Sequence, residues 1–206
     1  MIDRRGFSLV EVVVASGLLG LLTLVLALLL TPGLRIWNLS QTRSEAEQAM
    51  MLAEGHLGEE LMETAPSSVQ TVDDPGLSAL SFLSPGSNPV EAYDPITGAP
   101  TWRQLVVYYL SSGTLYRKQW QTGSTPPLPY VLPASKPFQV QPDELRLLCV
   151  PDGTERRVCA GLDELELFVP GDGTLILSLE VNLETQNGPE TFRRSTTVYA
   201  RNGDRE

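Results

Sequence analysis

Hydrophobic positions change their spacing twice along this chain. From Phe7 to Leu34 they form a nearly continuous apolar run that carries one charge, Glu11. From Arg35 to about Glu63 they recur at intervals of three and four. Ala46, Met50, Ala53, Leu57 and Leu61 make one stripe, and Glu45, Glu47, Glu54 and Glu59 lie on the other side. Beyond Pro66 they come in short alternating runs between Pro- and Gly-rich connectors. The first pattern predicts a helix that is apolar all round, the second an amphipathic helix packed on a domain, and the third a set of strands.

The stretch from Val12 to Leu34 is 23 residues without a charge. A helix of ~20 residues spans the ~30 Å hydrocarbon core of a bilayer, so the length predicts a membrane span. Arg4 and Arg5 precede it, which keeps the N-terminus cytoplasmic and exports the rest, although Asp3 weakens the signal. A secretory signal peptide is the competing reading. It would have a shorter apolar core and a small-residue cleavage region, for which Ala27 and Thr31-Pro32-Gly33 could stand in. The run is long for that and contains an acid. With no cysteine before Cys149, a lipobox is excluded. Pro32 removes a helical hydrogen bond late in the span, which leaves open whether the helix bends or melts there. Gly17 and Gly20 permit close helix approach. Glu11 is costly in such a segment and is therefore a functional candidate.

In the remainder, Leu77 to Leu83 reads as a strand and Ser84 to Pro100 as a long surface loop. Leu105 to Leu110 and Thr114 to Trp120 flank Ser111-Ser112-Gly113 as a hairpin. Pro126 to Pro129 is a turn or extended connector. Leu145 to Val150 and Leu165 to Val169 read as strands. The clearest strand is Thr174 to Leu183, with Leu175, Leu177, Leu179, Val181 and Leu183 on one face. Asn187-Gly188 turns the chain into a last strand, about Thr191 to Ala200. A long helix followed by antiparallel-type strands is an α+β arrangement. The segments are 1–6 as a leader, 7–34 as the membrane helix, 35–64 as its amphipathic continuation, and 65–206 as a β-rich domain.

The 206 residues suit one membrane segment and one domain. The formal net charge of −10 speaks against a nucleic-acid-binding surface. Arg156-Arg157 and Arg193-Arg194 read as solvated strand or loop positions, with an anionic ligand site as the alternative. Cys149 and Cys159 favour a disulfide if the domain is exported, worth about 2.5–3 kcal/mol in the chain-entropy model. Two free or buried thiols are the alternative. One histidine, His56, and two cysteines do not make a zinc set, and His56 reads as a half-exposed helix residue.

No triad, Walker or dinucleotide-binding pattern occurs, so no catalytic residue and no cofactor is expected. Asp152-Gly153 and Asp172-Gly173 mark tight turns. Asp73, Asp74 and Asp94 could contribute to a calcium site but lack EF-hand spacing, so no metal is expected. Trp37, Trp102 and Trp120 read as packing residues.

Gly6-Phe7-Ser8-Leu9-Val10-Glu11, behind a short basic leader and ahead of a long apolar run, resembles the class III leader of type IV pilins and type II secretion pseudopilins. The resemblance implies that a prepilin peptidase cuts between Gly6 and Phe7 and N-methylates Phe7. It implies that Glu11 forms an assembly salt bridge with the N-terminal amine of a neighbouring subunit, which satisfies a charge otherwise buried alone. Tyr108-Tyr109-Leu110 followed by Gly113, Leu115, Tyr116 and Arg117 is similar to a hairpin of J-type minor pseudopilins and PilW-type minor pilins, as is the ending Val198-Tyr199-Ala200-Arg201-Asn202. The implied protein is a non-enzymatic minor subunit in the inner membrane, partnered by other pilin or pseudopilin subunits, with its domain outside the cytoplasm. The rival is a single-pass membrane-anchored extracytoplasmic binding or enzymatic domain.

Overall fold

The structure, a computed structural model, describes residues 8–86, 92–121, 127–171, 173–185 and 188–202. Gly6, Phe7, Pro126, Asp172 and Asn187 lie outside the described residues. The chain divides into two compact units, Met1–Ser44 and Glu45–Glu206.

Helix α1 runs from Leu9 to Met62, 54 residues, and stays helical through Pro32. Its first part, in the N-terminal unit, is apolar on every side and exposed on every side: Leu18 is 65% and Leu22 56% exposed. Its hydroxyls are satisfied internally. Ser16 Oγ donates to Val13 O at 2.9 Å and Thr31 Oγ1 to Ala27 O at 2.7 Å. A helix that is apolar on every side and bonds these hydroxyls to its own carbonyls suits a hydrocarbon environment.

From Glu45 onward α1 belongs to the second unit. The predicted stripe is buried there: Ala46, Met50, Ala53, Leu57 and Leu61 are all 6% exposed or less. Each large side chain of the stripe contributes about 1.5–3 kcal/mol by leaving water. The stripe packs on one face of a five-stranded antiparallel sheet with strand order β1-β2-β3-β4-β5. Its strands are β1 (Gln70–Asp74), β2 (Leu77–Ser84), β3 (Gln104–Ser111), β4 (Thr114–Gln121) and β5 (Arg156–Ala160). A second antiparallel sheet, β6 (Glu164–Phe168), β7 (Thr174–Thr185) and β8 (Gly188–Tyr199), completes this core with Leu175, Leu177, Leu179 and Val181.

The opposite face of the larger sheet buries Val107, Tyr109 and Trp120 under Trp102, Leu132, Val140 and Leu145. Leu145 comes from α2 (Pro142–Leu148), where the sequence predicts a strand. The spacing of Leu145, Leu148 and Cys149 is helical. Pro142 opens the first turn, and Glu144 reaches back to accept the Gln141 N–H at 3.4 Å. Two short edge strands, β1 and β5, are absent from the sequence reading because they are mostly polar. Only Val72 is buried in β1, and only Cys159 in β5.

The β3–β4 hairpin closes on Ser112 and Gly113, both at positive φ (49° and 73°), as a two-residue turn requires. Gly113 O then accepts Gly161 N–H at 2.7 Å, which carries the chain from β5 towards β6. At the end of β8, Arg201 N–H donates to Met62 O at 2.8 Å and Asn202 Nδ2 to Glu63 O at 2.7 Å. These bonds satisfy carbonyls that the end of α1 leaves free.

Candidate functional site

The N-terminus of α1 is built around Ser8 and Glu11. Ser8 Oγ accepts the Glu11 N–H at 3.2 Å, and Glu11 Oε2 accepts the Ser8 N–H at 2.9 Å. This reciprocal pair is a capping box, which satisfies two of the orphan donors at a helix start. It also holds the carboxylate at the positive end of the helix dipole. Glu11 thus has partners inside its own chain, which its cost in an apolar segment does not reveal. The Ser-x-x-Glu spacing is the signal for them. Helical geometry begins at Leu9, directly after the cap.

In the globular unit, Tyr108 and Arg117 are cross-strand partners in the β3–β4 register. Both reach the Glu60 carboxylate of α1. Tyr108 Oη donates at 3.0 Å, and Arg117 Nε donates at 2.9 and 3.1 Å. Burial, then the Glu60 charge, raises the Tyr108 phenol far above its usual range. Burial, the largest single influence, would lower Arg117, but the hydrogen bond and charge of Glu60 together with Tyr108 outweigh it and raise it. Glu54 is held similarly by Arg194 and Thr196 of β8. The hairpin residues therefore anchor the helix to the sheet. His56 lies exposed on α1 beside Glu60, in a polar groove of about 440 Å³ that Arg156 also lines.

Lys118 is the feature least visible in the sequence. It is 1% exposed, and its Nζ donates to Val150 O at 2.6 Å and Leu148 O at 3.2 Å while pairing with Asp152 at 3.1 Å. A cation that holds the carbonyls at the end of α2 is a cap made from a strand. Asp152 sits well below the usual carboxylate range, at about 2, because the Thr154 hydroxyl and amide bond it and Lys118 lies beside it.

The disulfide candidate is the pair Cys149 and Cys159. Both cysteines are free and buried. Cys159 belongs to the core under α1, Cys149 to the core under α2, and the larger sheet stands between them. Burial pushes the Cys149 thiol up to about 12 and Cys159 up to about 11.

The acids considered for calcium are engaged separately. Asp73 accepts from Ser78 Oγ, Asp74 pairs with Arg146, and Asp94 caps its own turn. Among the described residues no group of three metal-ligating side chains forms. Arg193 pairs with Glu166, and Arg156 and Arg157 are exposed on β5. Trp102 and Trp120 are packing residues at 2% exposure, whereas Trp37 is 69% exposed on α1.

Residues 1–27 match the family model described as the prokaryotic N-terminal methylation motif. No curated protein and no solved structure matches the chain. The matched segment includes Gly6, Phe7 and the Ser8–Glu11 cap, and it continues into the one described helix long and apolar enough to cross a membrane. The motif and the long helix packed on antiparallel sheets together make a type IV pilin-like α+β arrangement.

Proposed function

We propose that the chain is a minor pilin or minor pseudopilin that helps prime or cap a type IV-filament-like assembly, in pilus biogenesis, DNA uptake or secretion. The observation that carries this reading is the methylation motif running directly into an apolar helix capped by Glu11. Prepilin peptidase cuts between Gly6 and Phe7 and methylates the new amine of Phe7. The helix stays in the inner membrane with the domain outside the cytoplasm. It then joins the filament core through the pairing of Glu11 with a neighbour's N-terminus. Gly17 and Gly20, with no atom within 4 Å of an added Cβ, leave room for a neighbouring helix. The family is generally non-enzymatic, and a structural role needs no catalytic group.

The minor assignment rests on the β3–β4 hairpin, whose Tyr108 and Arg117 match the J-type and PilW-type pattern and converge on Glu60. Glu11→Ala and Glu11→Val test the assembly role. Membrane insertion and leader cleavage are expected to persist while incorporation is lost. Normal incorporation of either variant would contradict the register role of Glu11.

A further inference from the structure

Three surface loops of the globular unit meet at a groove of about 690 Å³. Tyr93 and Trp102 come from the loop before β3, Lys136 and Pro137 from the loop before α2, and Arg201 and Asn202 from the end of β8. Backbone bonds fix each wall. Asp94 Oδ1 accepts the N–H groups of Ile96 and Thr97 at 2.8 and 2.9 Å, and Tyr93 bridges to Pro100. Trp102 and Ala134 exchange two bonds at 2.7 and 3.0 Å. The end of β8 is tied to α1 through Met62 and Glu63.

The surface is thus organised before any partner arrives, which lowers the entropy lost on docking. It is also partly apolar, since Tyr93, Ala99, Pro100 and Pro137 line it and Tyr93 is 41% exposed. Lys136 and Arg201 have no carboxylate partner among the described residues, in a chain of net charge −10. Two cations in a groove with no carboxylate among its described lining residues select for negative charge locally.

We infer that this groove docks an acidic segment of another protein, with carboxylates against Lys136 and Arg201 and an apolar side chain against Tyr93. The inference goes beyond the assembly reading, because it holds whether or not the chain enters a filament.

The test uses the full chain in detergent and a short labelled peptide rich in glutamate with one leucine, read by fluorescence anisotropy. A version with glutamine for glutamate is the neutral control. The acidic peptide binds, its affinity falls with added salt, and the neutral version binds about tenfold more weakly. Lys136→Glu with Arg201→Glu weakens binding by about tenfold or more, whereas Arg156→Glu with Arg157→Glu, an equal change of charge elsewhere, changes it by less than about threefold. No binding of the acidic peptide, equal binding of the neutral one, or equal losses in the two double variants would overturn the inference.

Discussion

The Arg117 guanidinium brings two nitrogens to one oxygen of the Glu60 carboxylate, with Nε 2.9 Å and Nη2 2.7 Å from Oε1. The two side chains are only 16% and 28% exposed. Glu54 of the same helix is 19% exposed, but its partner Arg194 of β8 is wetter than Arg117, at 51%.

Burial therefore ranks two otherwise similar substitutions. Glu60→Ala strands Arg117 and leaves Tyr108 without its acceptor, so it destabilises the domain by about 2–3 kcal/mol. Glu54→Ala costs about 1 kcal/mol or less. Urea unfolding of the full chain in mild detergent separates them, and equal costs would contradict the role given to Glu60.

Ser8→Ala removes the hydroxyl that accepts the Glu11 N–H. Loss of such a cap costs about 1 kcal/mol. Hydrogen exchange at the Glu11 amide is expected to rise about fivefold in micelles, while amides around Leu22 keep their protection. Unchanged exchange at Glu11 would show that the cap does not hold the helix start.

The long-period features of this fold are readable in the residues, and the short ones are not. The α1 stripe and the β7 alternation repeat over enough turns and pleats to specify which face is buried, and Leu57 and Leu177 are buried as expected. The α2 segment is seven residues, so an apolar Leu-Arg-Leu-Leu run fits a strand or a helix until the Gln141–Glu144 cap decides it. β1 and β5 are edge strands whose residues mostly face water, so their pairing with β2 and β4 leaves little pattern. Lys118 alternates onto a buried face, where only the tertiary placement of Leu148, Val150 and Asp152 supplies partners. At the N-terminus the residues carried more than their hydropathy suggests. The family motif and the Ser8–Glu11 spacing were both legible, but the cap is recognised only when Ser8 is read together with Glu11.

The separation of the thiols by a sheet sets their chemistry. With burial raising both, Cys149 and Cys159 hold almost no thiolate near neutral pH. Iodoacetamide at pH 8 is expected to label neither in the folded chain and both after unfolding, with no mass change on reduction. A reducible bond between them in protein purified after export would contradict the two-core placement.

Asp152 gives the domain an acid-sensitive contact. Its folded value of about 2 lies below the ordinary 3.8, so the stability it contributes is present above pH 4 and is lost as pH falls towards 2. Thermal melts of Asp152→Asn are expected to be lower than wild type at pH 6 and to converge with it by about pH 2. A difference that stays constant between pH 6 and pH 2 would remove Asp152 from that role.

The central claim is that the N-terminal segment is a processed pilin-type leader and helix. The intact mass of the purified mature protein tests it most directly. The account predicts loss of Met1–Gly6 and one added methyl group on a chain beginning at Phe7. A protein that retains Met1, or one cut beyond the apolar helix, would contradict it.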